Sequence, residues 1–380
     1  MCHLSIAWMV HHLQANWSPI SLSAQSGYDR DIEGDGARWL SPSTHSIERS
    51  QQGGMLMARY VRAVSIALQH RRAPTVEENR HYVHKLMEQA ASEQPDIVVL
   101  PETFTLVGVP YASVAEVAEP IPGPTTELMA AYARRHHTYV ICPLIGVHGT
   151  KYHNDAVLLD RAGEIVGIYS KLHPVVQGSE FTNLELGITP GEDAPVFETD
   201  FGRIGIQICF DITYPDGWAT LKEQGAEVVF WCSAYDGGRH LEHLAWQHHY
   251  FIVSAVQSRY TRIVSPMGET LARGNRFDPL LVTTLDLDVA LFHCDFNASV
   301  IPEIRHRYGP DVIIRVWDEE SVFTLQTRRT DLHVADLVEE FSLEPLDRYL
   351  ARNQALQDAI RTGKPAPDLT PPYLGRTQWI

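Results

Sequence analysis

The sequence predicts a layered α/β protein, with buried strands alternating with amphipathic helices. Two runs, Asp96-Ile-Val-Val-Leu100 and Glu227-Val-Val-Phe-Trp231, are apolar at every position after the first, as central strands covered on both faces must be. A third, Gly202-Arg-Ile-Gly-Ile-Gln-Ile-Cys209, sets Ile204, Ile206 and Ile208 on one face of a strand. Between such runs lie stretches with apolar residues at helical spacing, among them Leu128, Ala131 and Tyr132.

Regular patterning starts at Arg59. Residues 1–56 mix Ser, Gln, Gly, Asp and Arg without periodicity and are expected to form a disordered segment, with Met55 or Met57 as an alternative start. Val61–Leu68 reads as a strand and Thr75–Glu93 as a helix, capped by Thr75 with Glu78 three residues on. Pro101 ends the strand 96–100 and leaves Glu102 at its C-terminal end. A helix follows over Pro124–His136, with proline at its first position. Strands are expected at Tyr139–Gly146, Ala156–Asp160 and Ile165–Tyr169, the last leading into Lys171. The strand 202–209 delivers Cys209 at its end, and Asp211–Pro215 turns the chain towards a helix. After the 227–231 strand come a helix near Leu241–Tyr250 and strands near Ile252–Gln257, Thr261–Ser265 and Leu280–Leu287. Residues 57–289 thus form one patterned unit. Residues 290–363 form an extension, with a hairpin (Val312–Trp317, Val322–Gln326) and an acidic helical region from Val334 to about Arg361 that contains Pro345. The Pro-rich tail 364–380 is expected to be extended or disordered.

Composition excludes several functions. Lys and Arg (31) against Asp and Glu (47) give a net charge of −16, which repels a phosphate backbone, so no nucleic-acid partner is expected. No stretch approaches the roughly 20 apolar residues of a membrane span. The five cysteines (Cys2, Cys142, Cys209, Cys232 and Cys294) are widely spaced and mostly in apolar surroundings, unlike a disulfide framework, and His11, His12, Gln14 and Asn16 interrupt any signal-like apolar run. A cytoplasmic location is expected. His240, His243, His248 and His249 do not fall in a His-Glu-x-x-His register and no Cys pair completes a zinc set, so neither metal nor cofactor is expected. Cys142 and Cys232 read as packing residues.

Three elements carry reactive groups immediately after apolar strands: Leu100-Pro-Glu-Thr-Phe104, Tyr169-Ser-Lys-Leu-His173 and Gly205-Ile-Gln-Ile-Cys-Phe-Asp211. Strand C-terminal ends are where layered α/β folds bind ligands, so a carboxylate, an ammonium and a thiol can converge there. Cys209 is the candidate nucleophile and Glu102 the general base that takes its proton and returns it to the leaving group. Lys171 is the candidate charge that favours thiolate and, with the Phe210 backbone N–H, stabilises an oxyanion.

In these motifs the chain resembles the nitrilase superfamily, the carbon-nitrogen hydrolases, whose Glu, Lys and Cys occur in this order at comparable separations. The likeness covers roughly Tyr60–Asp288 and includes Ile121-Pro-Gly-Pro124, Tyr152-His-Asn-Asp-Ala156, Gly163-Glu-Ile-Val-Gly167 and Pro266-Met-Gly-Glu-Thr-Leu271. Leu244-Ala-Trp-Gln-His248 departs from the Arg-Ala-x-Glu-Asn usual in the corresponding helix. The resemblance implies a four-layer α-β-β-α sandwich, a homodimer or larger assembly, and a further glutamate shortly after the lysine, for which Glu180 is the candidate. It also implies that Trp231, Ser233 and Tyr235 line an acyl pocket.

Nitrilases typically follow the nucleophile with Trp-Glu. Cys209-Phe-Asp211 is closer to the Cys-Tyr-Asp of amidase branches, which favours a small amide or N-carbamoyl substrate over a nitrile. The rivals are nitrile hydrolysis, acyl transfer from Cys209 to an amine, and a catalytically silent interaction protein that docks through its C-terminal region.

Overall fold

The computed structural model describes residues 59–177, 180–365, 370–373 and 375–376; the expected disordered segment 1–56 and the choice between Met55 and Met57 lie outside the described residues. Two six-stranded sheets form the centre. The first runs, in spatial order, Leu280–Asp286, Tyr60–Ile66, Ile97–Val99, Tyr139–His148, Lys151–Leu159 and Ile165–Ser170. The second runs Thr270–Arg273, Arg262–Val264, Phe251–Val256, Val228–Ser233, Arg203–Ile208 and Phe197–Glu198. In each sheet three consecutive strands are parallel: 60–66 with 97–99 and 139–148, and 203–208 with 228–233 and 251–256.

The apolar runs are explained by burial on both faces. Val61, Ala63, Ile97, Val99, Ile141, Ala156 and Leu158 share one core with Ile204, Ile206 and Ile208 of the second sheet. Their alternating neighbours Val64, Ile66, Val98, Leu100, Val140 and Val157 belong to a second core with Val83, Leu86 and Met87 of helix Val76–Ala90 and Met129, Tyr132 and Ala133 of helix Pro124–His136. On the second sheet, Gly205 admits helix Pro215–Glu223: a Cβ there would lie 2.7 Å from the Leu221 methyl carbons. Each fully buried Val, Leu, Ile, Phe or Met contributes about 1.5–3 kcal/mol, so these cores dominate the fold. The result is an α-β-β-α sandwich. The sheets also touch directly, Leu68 N–H donating to Val256 O at 3.1 Å.

Local signals act as the sequence implies. The Thr75 hydroxyl accepts from Glu78 N at 3.2 Å and starts the first helix. Pro124 opens its helix and His137, with φ 52°, closes it. A short exposed strand, Thr270–Arg273, was not anticipated, because its side chains alternate with no apolar face.

Beyond the sandwich, Ala290–His293, Val322–Thr327 and Val312–Trp317 form a three-stranded sheet that includes the expected hairpin. It packs Phe292, Phe323 and Leu325 against Ile304 and Leu337. The acidic helical region is two helices, Val334–Glu340 and Leu346–Thr362, with Pro345 capping the second. The described part of the Pro-rich tail is tied down rather than free. Tyr373 is 4% exposed, its ring stacks on Phe296 and its hydroxyl donates to Glu344 Oε2 at 2.5 Å.

Candidate active site

Glu102, Lys171 and Cys209 leave their strands at one end of the sandwich. Glu102 follows Pro101 and precedes Thr103, whose φ of 39° turns the chain into a 3-10 turn over Phe104–Leu106. Lys171 is anchored by its own backbone: its N–H donates to Asn154 O at 2.8 Å and its carbonyl accepts from Gly191 N at 2.8 Å. Cys209 opens a 3-10 turn with φ 47°. A left-handed non-glycine residue costs about 1–3 kcal/mol and persists only where its surroundings fix it. Here the Trp231 indole N–H donates to Cys209 O at 3.0 Å, and Ile208 N–H donates to Asp211 Oδ2 at 2.9 Å.

The side chains converge on Lys171, which is 1% exposed. Its Nζ lies 2.8 Å from Glu102 Oε1 and 2.6 Å from Glu185 Oε1. The Asn154 amide closes the ring, donating to Glu102 Oε1 at 2.9 Å and to Glu185 Oε2 at 3.1 Å. Ala234 N–H donates to Glu102 Oε2 at 3.1 Å, and Gln257 fixes the Glu102 carbonyl at 2.7 Å. The Cys209 thiol meets both the Glu102 carboxylate and the Ala234 N–H.

Charge in this buried cluster is sharply partitioned. Burial disfavours the Lys171 ammonium, but Glu102, Cys209 and Glu185 outweigh it and hold the group well above its ordinary value. Burial pushes the Cys209 thiol up and Glu102 adds to this; Lys171 and the Ala234 N–H oppose without prevailing. Lys171 thus acts on the thiol in the direction expected of it, while burial and Glu102 act the other way. The Glu102 carboxylate is in contact with the sulfur.

The glutamate after the lysine is also corrected. Glu180 is exposed, and Glu185 sits beside Lys171. A two-pair ladder, Val176 with Leu184 and Gln177 with Asn183, carries the chain out and back, so the returning residue and not the outgoing one faces the site. Val175 N–H holds Glu185 Oε1 at 2.9 Å. Glu185→Gln is expected to lower turnover roughly 10- to 10²-fold by weakening the hold on Lys171, whereas Glu180→Gln leaves it within about 2-fold. Steady-state kinetics of the two variants checks this.

Of the expected pocket residues, Trp231 is fully buried and spends its N–H on the Cys209 turn, so it supports the turn from behind. Ser233 is buried and its Oγ accepts from Tyr235 N at 3.1 Å. Tyr235 is 40% exposed and packs edge-on against Trp231. Burial, then the charges of Cys209 and Glu102, push its hydroxyl up. Phe210 is half-buried at the start of the Cys209 turn, its ring edge-on to Tyr214. Besides Glu185, two residues escaped the sequence reading as members of the cluster or its support: Asn154 and Asp211. Tyr111 is raised by burial, then by Glu185 and Glu102. Asn154 lies in the quoted Tyr152–Ala156 motif, in the polar first half of strand Lys151–Leu159, where nothing but the motif itself distinguishes it. Among the described residues no group of three His, Cys, Asp or Glu side chains is arranged to hold a metal ion.

The family model for carbon-nitrogen hydrolases matches residues 61–290, which span both sheets and every residue of this cluster. The chain belongs to the carbon-nitrogen hydrolase family. This carbon-nitrogen hydrolase is 27% identical over 240 residues to the omega-amidase NIT2 of Xenopus tropicalis, covering 57% of the chain and 86% of that protein. It is 26% identical over 271 residues to a deaminated glutathione amidase of Synechocystis, covering 64% and 97%. It is 30% identical over 177 residues to the beta-ureidopropionase of Arabidopsis thaliana, covering 43% and 42%. Among solved structures, Saccharomyces cerevisiae Nit3, a member of the nitrilase superfamily, superposes with a TM-score of 0.52 at 18% identity, covering 68% of this chain and 97% of that one. The Caenorhabditis elegans NitFhit protein gives a TM-score of 0.54 at 19% identity, covering 67% and 64%. These likenesses establish the sandwich as the nitrilase fold.

Proposed function

We propose that the protein hydrolyses a small amide or N-carbamoyl compound through a thioester on Cys209. The observation that carries this is the buried Lys171 ammonium held between Glu102 and Glu185 with the Cys209 thiol against Glu102. As the sulfur attacks the carbonyl carbon, Glu102 takes the thiol proton. Lys171 and the Phe210 N–H stabilise the oxyanion as it forms. Glu102 then returns the proton to the departing nitrogen, which leaves as ammonia or amine. In the second half, Glu102 deprotonates a water that attacks the thioester, and the proton passes to sulfur as the acid is released. Glu185 and Asn154 hold Lys171 and Glu102 in place, and Tyr235, Ser233 and Tyr111 border the acyl group.

The relatives' names, omega-amidase, deaminated glutathione amidase and beta-ureidopropionase, support an amide or carbamoyl substrate over a nitrile. Asp211 supports it too, because its carboxylate is engaged by the turn where nitrilases carry Glu. Steady-state release of ammonia is measured on matched panels of amides, carbamoyl compounds and nitriles. Turnover of amides or carbamoyl compounds is expected, and turnover confined to nitriles overturns the preference. Added amines in the same assay separate hydrolysis from acyl transfer, since a transferase yields the substituted amide. A homodimer and a cytoplasmic location belong to the same reading. The four described cysteines carry free thiols, in keeping with a reducing compartment. Light scattering at micromolar concentration is expected to give at least twice the mass of one chain.

A further inference from the structure

We propose that Asp211 and His173 form a positioning pair that holds the Lys171 strand end against the Cys209 turn, and that the positive charge of His173 keeps it closed. The inference rests on the roles proposed above for Cys209 and Lys171. Asp211 is fully buried, and its one carboxylate joins the two segments. Oδ2 accepts from Ile208 N, just before Cys209, at 2.9 Å and from the Tyr169 hydroxyl, two residues before Lys171, at 2.7 Å. Oδ1 accepts from His173 N, two residues after Lys171, at 2.8 Å and faces His173 Nδ1 at 3.1 Å. The Asp211 carbonyl is fixed by the Trp218 indole at 2.9 Å. No reacting atom is touched, yet both reactive side chains hang from segments stapled to this carboxylate.

His173 completes the staple electrostatically. Its ring stacks on Tyr214 at 4.0 Å between centroids, and its Nε2 lies 3.3 Å from Asp216 Oδ2 on helix Pro215–Glu223. The charged and titratable groups facing it are thus Asp211, Asp216, Tyr214 and Tyr169, while the Lys171 ammonium engages Glu102 and Glu185. The hydrogen bond to Asp211 raises His173 above its ordinary value; partial burial opposes this and the charges of Asp211 and Asp216 reinforce it. The contact is at full strength below the ordinary histidine value of about 6.5 and is lost as pH rises through the raised one. Lys171, Cys209, Tyr111 and Tyr235 are all held above ordinary values that already exceed about 8. Loosening as pH rises through the raised His173 value is therefore assigned to His173.

The test is the rate of Cys209 alkylation by iodoacetamide, read by peptide mass spectrometry in the full chain from about pH 6 to about pH 9, in wild type and His173→Gln. The wild type is expected to react roughly 10-fold faster at the acid end, and the two to converge once wild-type His173 is neutral. A ratio constant across the range, or equal rates throughout, overturns the pair. Asp216→Asn, at an exposed position, covers the case in which the glutamine variant does not fold. It keeps both partners and is expected to move the pH at which the advantage is lost downward, and an unmoved pH overturns the proposal. A wild type that releases ammonia from no amide refutes the hydrolase reading while leaving this ratio measurable.

Discussion

Cys209→Ala loses turnover by roughly 10⁴-fold or more on every substrate the wild type hydrolyses, while still binding it. The thiol is in contact with Glu102 and the Ala234 N–H, and the Lys171 charge acts on it as well. Removing one sulfur leaves the Glu102–Lys171–Glu185–Asn154 ring intact, so the fold and the binding surface persist. Intact-protein mass spectrometry during turnover finds an acyl adduct on wild type and none on the variant. An adduct on Cys142, Cys232 or Cys294 sinks the assignment. Because base, ammonium and thiol act as one unit, adding Glu102→Gln and Lys171→Met to Cys209→Ala costs little more.

Lys171→Met is expected to damage both activity and stability. It removes an oxyanion donor in a water-poor site, worth roughly 10²-fold or more in turnover. It also leaves Glu102 and Glu185 adjacent with no cation between them, at a site where Lys171 was 1% exposed. Breaking a buried ion pair by deleting one partner destabilises by roughly 3–5 kcal/mol. The sign of the pH dependence follows. In the variant the two carboxylates compete for one proton, which the folded state takes up as pH falls, so folding is favoured there relative to neutral pH. The deficit against wild type is thus largest near about pH 8 and smaller near about pH 5.5. Urea unfolding of both proteins at the two pH values measures it, and a deficit independent of pH contradicts the arrangement.

Much of the fold was legible because each central strand is apolar on both faces, a pattern that surface segments do not sustain. Helix Pro124–His136 was placed at its true bounds because a proline at its first position and a polar break after His136 mark both ends. Glu102, Lys171 and Cys209 were legible for a related reason: each lies at or just past the C-terminal end of a strand that the sequence pattern marks, although the strand before Lys171 is a partly exposed edge strand. Glu185 was not, since its place depends on a ladder of two residue pairs, and neither pair has an apolar pattern to announce it. The contacts of the described tail residues were equally illegible. The tail's composition forbids regular structure, but Tyr373 finds a pocket against Phe296 and Glu344 that only the folded C-terminal segment creates.

By itself the sequence determined the layered architecture, the strand ends and the three reactive groups they carry, because these follow from local burial pattern and from the chemistry of Glu, Lys and Cys. Only the tertiary structure decided the electrostatic surroundings of the site. What acts on the Cys209 sulfur is a balance between burial, the Glu102 carboxylate, the Lys171 ammonium and the Ala234 N–H, while Glu185 acts on Lys171. Electrostatic energies at such separations vary steeply with distance and with the exclusion of water, and neither quantity exists until the sheets have packed.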